Sequence, residues 1–166
     1  SYMKKIKSAL ISVFNKDGLE EIVELLAKHN IKIISTGGTA DFIKELKIPV
    51  TEVETITNFP ALFDGRVKTL QPQIFGGILN RRDNIEDQKE KAKYKIKDID
   101  LVIVNLYPFE ETLAKGGNEE EIIEKIDIGG VALIRAAAKN FNDVVVIPSK
   151  HQYKELSDIL KRGIQT

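Results

Sequence analysis

The sequence predicts an α/β protein of three layers, a mostly parallel five-stranded sheet flanked by helices. Three observations carry that expectation. The first third of the chain alternates strand, helix, strand, helix, strand, the pattern of parallel strands joined by right-handed crossovers. Runs such as Ala9-Leu10-Ile11-Ser12-Val13-Phe14 and Leu101-Val102-Ile103-Val104 are almost wholly apolar, as strands covered on both faces must be. Polar or glycine-rich turns follow several of these runs, and in open parallel sheets ligands bind beyond the carboxyl ends of the strands.

The elements are expected in this order. A strand over 9–14 ends in Asn15-Lys16-Asp17-Gly18, which is turn chemistry, and Asp17 with Glu20 has capping-box spacing. Leu19, Ile22, Val23, Leu25 and Leu26 recur with helical period to about Asn30. A buried strand over 31–35 leads through Thr36-Gly37-Gly38-Thr39 into a helix over 40–46. Pro49 interrupts, and 50–53 reads as a third strand. The segment 57–72 has no clean period; a loop this long in a compact domain is usually functional or disordered, and its apolar content argues against disorder. Residues 73–79 suit a short helix, and 84–97 a charged, solvated one with Asp87 and Lys91 four apart. The fourth strand, 101–105, ends in Asn105-Leu106-Tyr107-Pro108. Helices over 109–114 and 118–126 flank Gly116-Gly117. Asp127-Ile128-Gly129-Gly130 opens an alanine-rich helix over 131–139, 144–147 is the fifth strand, and Ser149 starts a last amphipathic helix to about Leu160.

Composition narrows the function. The 166 residues suggest one domain, long enough to bury its own core without metal or disulfide. Lys plus Arg and Asp plus Glu are 25 each, so no one-signed field favours nucleic acid or a membrane surface. There is no cysteine, which excludes disulfides, thiolate nucleophiles and cysteine-ligated metals. No His, Asp or Glu cluster has metal-ligand spacing, so no metal is expected. Met3-Lys4-Lys5-Ile6-Lys7 is charged and runs straight into the first strand, unlike a signal peptide. The expectation is a cytoplasmic protein.

Four features should meet at one sheet edge: Ser12 with Lys16, the turn Ser35–Thr39, the cations Arg66 and Lys68 with Thr69, and Asn105 and Tyr107 with Asp127–Gly130. A glycine-rich helix start offers unpaired N–H groups and the positive end of a helix dipole, and glycine lets an anion approach closely. With three cations beside two such turns, the pattern suggests a phosphorylated small molecule. Each residue also has a plainer reading. Lys16 and Arg66 could be solvated surface cations, Asp127 a helix cap or a general base, and Tyr107 a packed ring or a proton donor. His29 and His151 read as surface residues.

Taken together, SVFNKDGL, STGGTA, ITNFPALFDGRVKTLQP, the GGIL at Gly76–Leu79, NLYPF and IDIGGVALIRAAAKN, in this order, closely resemble the N-terminal domain of the bifunctional purine biosynthesis proteins. These combine IMP cyclohydrolase with AICAR formyltransferase. The likeness covers roughly residues 6 to 155. It implies the Rossmann-like fold of methylglyoxal synthase, a single domain over 1–166, and absence of the C-terminal transformylase domain from this chain. It further implies ring closure of 5-formamidoimidazole-4-carboxamide ribotide (FAICAR) to IMP without a cofactor, and a homodimer in the full-length protein. By resemblance, Ser12, Lys16, Ser35, Gly37, Gly38 and Thr39 hold the 5′-phosphate. Arg66, Thr69, Asn105, Ile128 and Gly129 complete the substrate contacts. Lys68, Tyr107, Asp127 and Lys139 are the catalytic set, with Lys68 at the formyl oxyanion. Two positions depart from the family pattern: Gln71 stands where many members have histidine, and Phe14 replaces a commoner small polar residue. Two other readings share the fold. One is a methylglyoxal synthase, whose signature GRVKTL and NLYPF do not resemble. The other is a nucleotide-sensing regulatory module, which needs the phosphate turn but not Lys68, Tyr107 and Asp127.

Overall fold

The computed structural model describes residues 5–106 and 109–163. In chain order it contains β1 (Ser8–Val13), α1 (Leu19–Lys28), β2 (Lys32–Ser35), α2 (Gly37–Glu45), β3 (Thr51–Glu52), α3 (Val53–Thr57), α4 (Pro72–Leu79), α5 (Ile85–Lys93), β4 (Leu101–Asn105), α6 (Phe109–Ala114), α7 (Glu119–Glu124), α8 (Gly129–Lys139), β5 (Val145–Ile147) and α9 (Tyr153–Gly163). The strands form one sheet of order β3-β2-β1-β4-β5, every neighbouring pair parallel. The expected five-stranded parallel α/β fold is what the chain adopts.

Side-chain alternation along β1 explains the three layers. Ala9, Ile11 and Val13 face a core completed by Ile22 and Leu26 of α1, Ile43 of α2, and Leu156 and Leu160 of α9. Leu10 faces the other way, with Val102 and Val104 of β4, and packs under Val53, Ile74, Ile78 and Leu133 of α3, α4 and α8. β1 is thus central and covered on both sides. The chain moves outward from it through β2 and β3, then returns to β4 on its other flank. The strand order therefore reverses between β1 and β4, and a crevice opens where such a reversal occurs, at their carboxyl ends.

Several local expectations change. The capping box at Asp17 does not form: Gly18 takes the position before α1 in a left-handed conformation with no side-chain cap, and Asp17 pairs with Lys150. The third strand shrinks to two residues, because Val53 turns inward to begin α3, which ends at left-handed Asn58. Asp87 does not pair with Lys91. Its carboxylate takes the Arg81 guanidinium and backbone N–H, which hold it down to about 2, while Lys91 reaches Asp98. Ser149 caps a single 3₁₀ turn, Lys150–Gln152, ahead of α9.

One glycine in α4 is fixed by close packing. A Cβ on Gly77 would lie 2.5 Å from the Lys97 carbonyl oxygen, and the Gly77 carbonyl itself accepts from Ile99 N–H at 2.9 Å. Backbone cannot yield there as a side chain can. Gly77→Ala should therefore cost about 1–3 kcal/mol by overpacking. At neighbouring Gly76 the nearest atom is the flexible tip of Ile96, so Gly76→Ala should cost much less. Paired urea melts of the two variants measure the difference, and equal midpoints would remove the argument.

Candidate active site

A cavity of about 790 Å³ occupies the crevice at the reversal point. Ser12, Lys16, Gly37, Gly38 and Thr39 line it from the β1 and β2 ends, and Arg66, Lys68 and Thr69 from the loop before α4. Asn105, Asp127, Ile128 and Gly129 close it from the β4 end and the start of α8. Twelve of the fifteen expected site residues therefore share one cavity.

The glycine turn supplies the cavity's anion-attracting end. α2 begins at Gly37, whose φ of 57° is open to glycine and costly for most other residues. No side chain caps this helix: the Thr36 hydroxyl donates to Glu54 instead, at 2.7 Å. Among the described residues, the N–H groups of Gly37 and Gly38 have no hydrogen-bond acceptor. Two ammonium groups hang over them. A Cβ on Gly37 would sit 3.4 Å from Lys68 Nζ, and one on Gly38 3.8 Å from Lys16 Nζ. Free amides, a helix dipole and two cations thus converge on one point.

A tight turn delivers Lys68 there. Leu62 and Val67 exchange both backbone hydrogen bonds as an antiparallel bridge, and Arg66 N–H closes onto the Phe63 carbonyl. Within this four-residue loop Phe63, Asp64 and Gly65 all have positive φ. Val67 then points the chain back along the cavity wall, and Lys68 lies across Gly65 toward Gly37.

Asp127 and Glu124 line the cavity from the α7–α8 side, and Asp64 from the loop that carries Lys68. Asp127 Oδ1 accepts from the N–H groups of Gly130 at 2.7 Å and Val131 at 3.3 Å. It therefore caps α8, and the start of that helix is not a second anion site. Its Oδ2 takes no hydrogen bond among the described residues. A Cβ on Gly130 would come within 2.8 Å of both carboxylate oxygens, so glycine is what lets Asp127 fold across the first turn. Thr69 is buried beside this wall, its hydroxyl 3.3 Å from where a Cβ on Gly129 would stand.

Other expected ligands have structural partners. The Ser35 hydroxyl is fully buried and donates to the Ile11 carbonyl at 2.6 Å, so Ser35 does not reach the cavity. Thr39 borders the cavity, but its hydroxyl accepts from Val13 N–H and donates to the Val13 carbonyl. Asn105 accepts from the N–H groups of Phe14 and Asn15 and donates to the Asn15 carbonyl, which holds the loop carrying Lys16. Lys139 is exposed at the far end of α8 and does not line the cavity, because a straight helix carries it ~13 Å from Gly130. Tyr107 lies outside the described residues. Arg66 pairs with Glu124 of α7 at the rim. Glu124 and Glu54 were not foreseen, since neither is near its partner in sequence. Gln71 precedes α4 away from the cavity, whereas Phe14 lines it.

Fold and cavity together define a parallel α/β domain with a cationic glycine turn at its topological switch point. The chain belongs to the MGS-like domain family, whose model matches residues 18–132. It is 56% identical over 160 residues to the bifunctional purine biosynthesis protein PurH of Bacteroides thetaiotaomicron, covering 96% of this chain and 32% of that protein. To the PurH of Rhodospirillum rubrum it is 54% identical, covering 93% of this chain and 30% of that protein. The chain thus spans about a third of the length of these curated relatives. A crystal structure of ForH superposes with a TM-score of 0.84 at 31% identity, covering 96% of this chain and 80% of that one. Among the described residues, no helix is long and apolar enough to cross a membrane, and no group of three His, Asp or Glu could hold a metal ion.

Proposed function

We propose that this chain is an IMP cyclohydrolase of purine biosynthesis, closing FAICAR to IMP with loss of water. The observation that carries the reading is the meeting of the RVKT and IDIGG segments, at Thr69 and Gly129, in the cavity that also holds the glycine turn. The names of its PurH relatives support a role in purine biosynthesis.

The chemistry suits the cavity's two ends. A 5′-phosphate on Gly37, Gly38, Lys16 and Ser12 would anchor the ribotide and hold its two reacting groups together. The carboxamide nitrogen attacks the formyl carbon, a C–N bond forms, and the formyl oxygen takes up negative charge. Lys68 is the donor for that oxygen. The proton lost from nitrogen goes to the free oxygen of Asp127, whose other oxygen is held by the α8 amides. The oxyanion takes one proton to become a hydroxyl; a second N–H proton is then lost as the ring C=N bond forms, the C–O bond breaks, and the protonated oxygen leaves as water. Tyr107 is the further donor of the proposed proton relay; Lys139, exposed at the far end of α8, takes no direct part in it. Dimerisation of the full-length protein and a cytoplasmic location belong to the same proposal. We assign cyclisation, not formyl transfer, to these residues.

The test is direct. FAICAR added to the purified chain should be converted to IMP, followed by the change in ultraviolet absorbance, with no cofactor supplied. Binding of FAICAR without conversion would favour a nucleotide-sensing module instead.

A further inference from the structure

A second cavity, of about 740 Å³, lies at the opposite edge of the sheet, where β1 and β2 begin. We propose that it is a ligand site of its own, which takes a nucleoside polyphosphate: a flat apolar group bearing several negative charges. The inference does not rest on the cyclohydrolase reading.

The floor is apolar. Ile56 of α3 and Ile96 ahead of β4 present half-buried side chains to it, backed by Ile34, Ile74 and Ile99 of the buried core. Thr51, Thr55 and Gln73 also line it, and none of their side chains has a hydrogen-bond partner among the described residues. An apolar surface with a few unspent polar groups, at this volume, is the usual make-up of a small-molecule site.

The rim is cationic. Lys5, Lys7, Lys32, Lys95 and Lys97 border the cavity, and none forms an ion pair among the described residues. The two carboxylates at the same edge are already engaged. Asp98 takes Lys91 and Arg82; Asp100 takes Arg82 and the Lys7 backbone N–H. Arg82 is itself spent on these acids and on the Asn80 and Ile99 carbonyls. Five exposed lysines without an ion pair among the described residues therefore border one concavity in a chain whose formal charge sums to zero. Like charges bordering one concavity repel one another, and a polyanion relieves the repulsion while lysine supplies its hydrogen bonds. A single phosphate would engage part of the rim and leave Ile56 and Ile96 uncovered. A base on the floor with its phosphates on the rim uses both.

The test is an amide-shift titration of the ¹⁵N-labelled chain with ATP, without divalent metal, and in parallel with inorganic tripolyphosphate. ATP should shift Thr51, Thr55, Gln73 and Ile96 saturably, and bind more tightly than tripolyphosphate. The double variant K7E/K32E reverses two exposed charges outside the core. It should keep its melting temperature and weaken ATP binding about tenfold. Shifts confined to Gly37 and Gly38, equal affinity for tripolyphosphate, or unchanged ATP binding in K7E/K32E would each overturn the proposal.

Discussion

Lys68→Ala is expected to lower turnover of FAICAR by about 10²–10³-fold, the usual cost of removing one donor to a developing oxyanion. The fold should survive. Lys68 is only partly buried, lies on a loop, and forms no part of either core cluster. Its ammonium also stands over Gly37, beside the unpaired amides of that turn. If Lys68 served the phosphate alone, KM for FAICAR would rise and kcat would hold. If it serves the reacting oxygen, kcat itself should fall. Steady-state kinetics with a thermal melt of the same sample separate these cases. Near-normal kcat in a folded variant would remove Lys68 from the chemistry.

Asp127 calls for two variants, because its two oxygens have different partners. Asp127→Ala removes the acceptor for Gly130 and Val131 and should lower stability by about 1 kcal/mol, as loss of a helix cap does. Asp127→Asn keeps a side-chain carbonyl for those amides but loses the charge and the proton acceptor. It should melt near the wild type while losing about 10²-fold or more in kcat, the contribution typical of a general base. If both variants retained turnover and only the alanine variant melted early, Asp127 would be a cap and nothing more.

The parts of the fold that could be read from sequence are those governed by continuous apolar runs. Leu101–Val104 and Ala9–Val13 could be little other than buried strands, and the polar or glycine-rich ends of β1, β2 and β4 place the cavity at their carboxyl edge. What escaped was short and local. α3 begins at Val53 in a β-branched stretch, where propensity favours extension and burial of Val53 decides otherwise. The Asp64-Gly65 pair is a turn signal, but the loop it belongs to is closed by a single bridge, Leu62 to Val67, inside a long irregular segment that has no period of its own. At the site, residue type indicated which side chains were polar near the crevice, not how each was used. Ser35 looks like a ligand in sequence and serves as a brace, because a buried hydroxyl must find a partner, while Asn105 lines the cavity and also braces the loop that carries Lys16. Glu124 could not be foreseen at all, lying 58 residues from Arg66.

The central place of β1 bears on the order in which the chain is made. β1 is synthesised well before β4, yet one of its two flanks is closed only by β4: Phe14 and Asn105, whose groups bond across this seam, are 91 residues apart. At ribosomal speeds that interval lasts roughly 5–20 s. During it, Ser8–Val13 is a nearly continuous apolar edge with unpaired amides and carbonyls, the kind of surface that recruits strands from other chains. The nascent protein is therefore most prone to aggregation before residue 105 emerges, and any factor that shields an exposed strand would act on this domain in that window.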